Sequence, residues 1–185
     1  MRIFGIDPGS ERTGYGCLES DGSRHHLVIC GSLAAPAHTA LPDRLLVIHA
    51  GLAALLAEHH PDCVAVENIF HAKNARSALR LGHARGVALL AASQAGLPVA
   101  EYTPAEIKRA VVGFGRAEKQ QVGEMVRLLL RLDAAPTPYD VSDALAVAIC
   151  HVHTSLGTIA RAAARTAPAR RAPGRQPRTW REYRP

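Results

Sequence analysis

RIFGIDPGSERTGYG, residues 2–16, packs two strand signals and a turn into fifteen positions. Arg2–Asp7 is a short, mostly apolar run that the Pro8-Gly9 pair closes, which reads as a buried strand. Gly14–Glu19 and His25–Gly31 follow as strands joined at the turn dipeptide Asp21-Gly22, so the chain opens as an antiparallel meander of three. Asp7 is then an acid at the very end of a buried strand. In an Asp-Pro-Gly context it can simply hydrogen-bond its own turn.

Downstream the period changes from two to 3.6. Leu45, Ile48, Leu52, Leu55 and Leu56 recur at helical spacing between Pro42 and His60, and Pro61 stops that helix ahead of a strand at Cys63–Glu67. A long helix over Asn74–Gln94, ended by Gly96 and Pro98, precedes a strand at Val99–Tyr102. Helices over Pro104–Val112, Glu118–Arg131 and Tyr139–Leu156 complete the pattern, with the loop Gly113-Phe114-Gly115 between the first two. This order predicts an α/β fold: a mixed five-stranded sheet with helices on both faces. The right-handed crossover rule places the strands ending in Asp7 and Glu67 side by side and parallel, with both carboxylates at one sheet edge.

At 185 residues the chain has the length of one ordinary domain, and 48% apolar residues suffice for a core built on Ala, Leu, Val and Ile, with only 3 Phe and 1 Trp. The formal net charge of +6 is uneven. Residues 161–185 hold 8 Arg against 1 Glu, whereas residues 71–131 carry 10 basic and 4 acidic groups between two acidic flanks. Such a pattern suits a polyanion lying along the middle segment, or a merely solvated surface. The expected division is a domain over 1–157 and a disordered basic tail over 158–185, rich in Ala, Arg and Pro. That tail can add nonspecific attraction for a polyanion, engage a partner, or be inert. Cys17, Cys30, Cys63 and Cys150 form no C-x-x-C pair and no zinc spacing with the histidines, so they read as reduced packing residues. Neither a secretory signal nor a membrane span is expected, and the cytoplasm is the expected compartment.

Besides Asp7 and Glu67, Asp140 and Asp143 stand three apart in PYDVSDAL, about 60° apart around the helix and outside the apolar stripe of Val141, Leu145, Ile149, Val152 and Leu156. Taken singly, these acids read as a strand end and as complements to a helix N-terminus. Taken together, two acids at adjacent strand ends and two on a helix crossing them repel by about 4 kcal/mol per close pair. Divalent cations relieve that repulsion. An all-carboxylate set selects Mg²⁺ or Mn²⁺, and a pair of such ions supports in-line attack of water on a phosphodiester.

The blocks GIDPGSERTGYG, AVENIFHAKNARSALRLGHARGVALLAA, EIKRAVVGFGRAEKQQV and DVSDALAVAICHVH resemble, in this order over residues 1–157, the RuvC-type Holliday-junction resolvases. These are crossover junction endodeoxyribonucleases with a ribonuclease-H-like fold. The resemblance implies that Asp7, Glu67, Asp140 and Asp143 are the catalytic, metal-binding acids, holding two Mg²⁺ ions per active site, with Mn²⁺ also supporting activity. It implies that Asp7 bridges the ions, that Glu67 and Asp143 complete their shells, and that Asp140 orients the water or its metal. It further implies four-way junction DNA as substrate, a homodimer making paired symmetric nicks in homologous recombination and DNA repair, and the RuvA–RuvB branch-migration complex as partner.

For DNA contact, Lys73, Arg76 and Arg80 form one row on the second long helix or its approach, and Ala78, Gly82 and Gly86 form a stripe of small residues opposite. Phe70 can fold back on the core or stack on a base, and the resemblance favours stacking. Lys108 and Lys119 match family lysines facing the scissile bond; otherwise each is a helix-surface cation. Two rival readings are a phosphate-binding lobe of an actin-like ATPase, whose first strand also ends in an Asp and a Gly-rich turn, and a junction-binding protein without cleavage. The single lobe argues against the first rival, and the full acid set against the second.

Overall fold

The structure, a computed structural model, describes residues 1–36, 38–68 and 74–166, and from 156 onward the backbone path alone. Phe70, Lys73 and the part of the tail beyond Thr166 therefore lie outside the described residues.

Three elements fall where local chemistry places them: the strands β4 (Cys63–Glu67) and β5 (Val99–Tyr102), and the helix α3 (Pro104–Val112). For α3 the reason is capping. Thr103 and Glu106 form a reciprocal capping box, Pro104 occupies the first turn, and Gly113 closes the helix in the left-handed region at φ 96°. The strand β1 (Arg2–Asp7) also matches expectation, and α1 (Leu41–His59), α2 (Ala75–Gln94) and α4 (Lys119–Leu130) shift only by their cap residues. Two strands run longer than expected: β2 covers Arg12–Ser20 and β3 covers His25–Ala34. Their ladder continues to Arg12 opposite Ala34, and this pairing carries the strands past the positions where sequence signals fade. The last helix, α5 (Tyr139–Thr166), continues beyond Leu156 and across the boundary expected at 157.

The five strands form one mixed sheet in the order β3-β2-β1-β4-β5. β1 pairs antiparallel with β2 and parallel with β4, with Ile3 beside Cys63 and Ile6 beside Val66. Strand alternation divides the core into two layers. Phe4, Ile6, Val64 and Val66 face α1 and α2, where they meet Ile48, Leu52, Leu56 and the small residues Ala88, Ala91 and Ala92. Ile3, Cys63 and Ala65 point the other way, toward α3, α4 and α5. α5 runs across β1 and β2 with α3 and α4 packed against it. It is therefore apolar on nearly every side, and Ala144 through Cys150 are all buried. Among the described residues no helix is long and apolar enough to cross a membrane.

Candidate active site

The alternation that buries Phe4 and Ile6 under α1 and α2 turns Asp7 to the α5 side, and the same phase along β4 turns Glu67 to that side. Because the β1–β4 ladder runs through Ile6 and Val66, the next residues on the two strands, Asp7 and Glu67, emerge as neighbours. The two carboxyl groups lie close enough for the charge of Glu67 to raise Asp7.

α5 brings the other two acids, and glycines seat it. A Cβ on Gly14 would overlap the carbonyl oxygen of Asp140, and a Cβ on Gly5 would overlap that of Ala144. Backbone thus lies on backbone at both points, holding the first turns of α5 directly over the ends of β1 and β2. Gly14 is also the register partner of Asp7, so the glycine that admits Asp140 sits beside the central acid. The turn between β1 and β2 is held from inside: the fully buried Thr13 donates through Oγ1 to the Gly9 carbonyl (3.0 Å) and accepts from the Gly9 N–H (3.3 Å).

Asp7, Glu67, Asp140 and Asp143 all line one cavity of about 400 Å³, together with Arg12, Lys108 and Lys119. The cations are distributed among the acids. Lys119 Nζ donates to Asp143 Oδ2 at 2.6 Å, and Arg12 Nε lies 3.9 Å from Asp140 Oδ2. Lys108 acts electrostatically on Glu67. Arg12 was not singled out from the sequence, although its place inside GIDPGSERTGYG, next to the turn that carries Asp7, was a usable signal. Arg76 and Arg80 are exposed on the first turns of α2, away from the cavity lining, and Ala78, Gly82 and Gly86 are exposed as well.

The site's electrostatics centre on Asp7. Burial pushes its carboxyl up to about 9, and the charge of Glu67, their hydrogen bond, and then Asp143 and Asp140 add to that effect. Glu67 is also raised, chiefly by burial and by Asp143, while the hydrogen bond from Asp7 and the charges of Lys119 and Lys108 pull it down. For Lys119, burial lowers its affinity for the proton, but the bond to Asp143 and the charges of Asp143, Asp7 and Glu67 outweigh that and raise it.

Among the described residues no three His, Cys, Asp or Glu side chains close into a ligating cluster as they stand; Asp143 is engaged by Lys119. The donor set nonetheless fits hard divalent ions. It consists of carboxylates only, it comes from two paired strands and one helix packed across them, and burial together with the neighbouring acids raises both Asp7 and Glu67, a crowding that a cation would relieve.

The family whose sequence model matches this chain, over residues 3–151, is described as "Crossover junction endodeoxyribonuclease RuvC". A relative of that name from Koribacter versatilis is 52% identical over 156 residues, covering 84% of this chain and 94% of its own length. Another, from Alkalilimnicola ehrlichii, is 56% identical over 152 residues, covering 82% and 91%. Among solved structures, RuvC of Thermus thermophilus in complex with a Holliday junction substrate is similar at a TM-score of 0.81 and 36% identity, covering 85% of this chain and 97% of that one. The yeast mitochondrial Holliday junction resolvase Ydc2, at a TM-score of 0.62 and 14% identity over 88% of this chain and 83% of its own, shares the fold. The five-stranded sheet with helices on both faces is accordingly ribonuclease-H-like.

Proposed function

This chain belongs to the RuvC family of crossover junction endodeoxyribonucleases, and we propose that it resolves four-way junctions in recombination and DNA repair by hydrolysing one phosphodiester in each of two opposed strands. The observation that carries the proposal is the convergence of four carboxylates, from β1, β4 and α5, on one cavity whose remaining charged lining is Arg12, Lys108 and Lys119. Acids to hold cations and cations to hold phosphate within a single cleft is the combination that phosphodiester hydrolysis needs.

Asp7, Glu67, Asp140 and Asp143 would hold two Mg²⁺ ions, with Mn²⁺ as a functional substitute, since hard oxygen donors without His or Cys select these metals. When bound, such ions supply an activated water and neutralise the leaving oxygen. The protein's own groups set the rest. Asp7 feels the charge of all three other acids, which suits the central position in the set. Lys119 and Lys108 lie where a phosphate entering the cavity would meet them, and a salt-dependent affinity follows from such contacts. Attack of water on phosphorus with departure of the 3′ oxygen leaves 5′-phosphate and 3′-hydroxyl ends, ready for ligation. Arg76 and Arg80, with Lys73 and Phe70 from the preceding segment, extend the DNA contact toward the strand exchange point.

A homodimer fits the near two-fold symmetry of a junction. Its proposed face is the outer side of α2, where Leu79 is 66% exposed and Leu90 51% exposed. Between them, among the described residues, nothing outside their own helix backbone lies within 4 Å of a would-be Cβ on Gly82 or Gly86. The reading includes the cytoplasm as compartment and the RuvA–RuvB branch-migration complex as partner.

The test is a synthetic mobile four-way junction incubated with the purified protein in Mg²⁺, in Mn²⁺ and in EDTA, with the cuts mapped. Paired symmetric cuts are expected with either metal and none in EDTA. Asp7→Asn should bind the junction and leave it whole. Equal cleavage by Asp7→Asn and the unmodified protein would sink the assignment.

A further inference from the structure

We propose that Arg12 is a phosphate-gripping residue of the cleft, taking a phosphate adjacent to the scissile one on the Asp140 side of the cavity; this rests on the nuclease reading above. The first ground is position. In the sheet order, β2 and β4 flank β1 on opposite sides, so Arg12 at the start of β2 and Glu67 at the end of β4 lie on either side of Asp7. Lys108 acts on Glu67 and Lys119 holds Asp143, so neither serves the β2 side. Arg12 is the cavity-lining cation there.

The second ground is what its guanidinium does in the protein. Four of the other described arginines are engaged with protein groups. Arg2 bonds Glu19 and the His59 carbonyl, Arg44 bonds the Ser10 and Thr39 carbonyls, Arg85 bonds Glu101, and Arg127 bonds Glu124 and the Leu132 carbonyl. The Arg12 guanidinium, like those of Arg24, Arg76, Arg80, Arg109, Arg116 and Arg131, makes no hydrogen bond among the described residues, and of these arginines it is the one that lines the acid cavity. Its contact with Asp140 is 3.9 Å long, and the two side chains are 47% and 36% exposed. An ion pair of that length between half-exposed groups adds little to stability. The planar fork of donors, matched to two oxygens of one phosphate, is left open toward the cleft.

The third ground is that the backbone beneath Arg12 is fixed. A Cβ on Gly9 would overlap the Arg12 carbonyl oxygen, and the next residue, Thr13, is buried and bonded twice to Gly9. The turn therefore holds the Arg12 backbone still, while Asp140 attracts its head toward the cavity without consuming its donors. Glu11 beside it is exposed and forms no ion pair with it.

The experiment measures junction affinity against salt in the Asp7→Asn background, where the DNA should stay intact, for Arg12→Ala and Arg12→Lys. One lost phosphate contact lowers the slope of log affinity against log salt by about 0.9. Arg12→Ala should show that loss, and Arg12→Lys should recover most of the affinity at low salt. Uncharged methylphosphonates are then placed singly along the cleaved strand. At one linkage beside the cleavage point they should weaken binding by the protein with Arg12 intact and have no further effect on Arg12→Ala. Melting curves confirm folding, and the exposed side chain predicts that they are unchanged. An unaltered salt slope, or equal sensitivity of both proteins at every linkage, overturns the proposal. So does a change confined to Mn²⁺ affinity of the DNA-free protein, which would make Arg12 only a counter-ion for Asp140. Failure of the unmodified protein to cut the junction in Mg²⁺ would instead sink the nuclease reading, and this proposal with it.

Discussion

Lys119 Nζ lies 2.6 Å from Asp143 Oδ2, an ammonium seated against one of the carboxylates proposed to hold metal. Lys119 is 61% exposed and Asp143 only 17%, so the lysine is the partner able to swing away. A divalent ion arriving at Asp143 must displace that ammonium, and a phosphate arriving with the DNA gives it a new partner. Lys119→Ala should therefore bind Mn²⁺ several-fold more tightly in the absence of DNA, because a competing cation is gone. Its cleavage should nevertheless be slower by on the order of 10²-fold, the usual cost of removing a charge that stabilises the reacting phosphate. Mn²⁺ titration by electron paramagnetic resonance and single-turnover cleavage read the two effects separately. Weaker Mn²⁺ binding would contradict the exchange.

The pairing of Asp7 with Glu67 carries a pH signature. The folded carboxyl of Asp7 titrates at about 9 against an ordinary 3.8, so between those values the folded protein keeps a proton that the unfolded chain has released. The contribution of this proton to stability is full below about pH 4 and is lost as pH rises toward and through about 9. Without divalent metal, the melting temperature should fall as pH rises from 6 to 9. Asp7→Asn, which has no proton to lose there, should melt above the unmodified protein at pH 8 and show a flatter profile. Added Mg²⁺ should stabilise the unmodified protein more than the variant, because a ligand of the native state raises its stability. Calorimetry at four or five pH values, with and without metal, checks both the sign and the window.

Gly14 and Gly123 make a matched pair of tests. A methyl group on Gly14 would overlap the Asp140 carbonyl, whereas one on Gly123 would sit 3.7 Å from Ser142 Oγ at ordinary contact. Gly14→Ala should cost about 1–3 kcal/mol through forced displacement of α5, and should cut activity further by moving Asp140 and Asp143 together. Gly123→Ala, inside α4, should stabilise by roughly 0.5–1 kcal/mol. Denaturant midpoints for the two variants should move in opposite directions.

What the amino-acid sequence disclosed of this site follows from which interactions are local. The 3.6-residue period and the caps of α3 were readable because Thr103, Pro104, Glu106 and Gly113 act within one helix. Asp7 beside Glu67 was readable because a crossover connection has one hand and strand alternation one phase. The extra length of β2 and β3 was not, since Arg12 opposite Ala34 depends on a partner strand rather than on either residue's propensity. Arg12 was missed for a related reason: its place beside the turn that carries Asp7 was a signal, but that it faces Asp140 across a cavity depends on where α5 lies. The glycines of GIDPGSERTGYG were visible, but that Gly5 and Gly14 seat a helix beginning at Tyr139 could be known only once α5 was placed.

The outer face of α2 supplies the last test. Leu79 and Leu90 are both largely exposed, and eleven positions of a helix return to almost the same angle, with Gly82 and Gly86 lying between them on that side. Two exposed leucines bracketing glycines form a surface against which a second helix can pack closely, and a carboxylate buried there without a partner is costly. Leu79→Glu should therefore raise the dimer dissociation constant by 100-fold or more, which sedimentation equilibrium would record as a shift to monomer mass. The folded monomer should keep its Mn²⁺ binding, because the four acids come from β1, β4 and α5, all within one chain. On a four-way junction it should yield single nicks in place of paired cuts, since the second active site would no longer be held across the symmetry axis. A variant that remains dimeric and still cuts in pairs would move the subunit contact to another face.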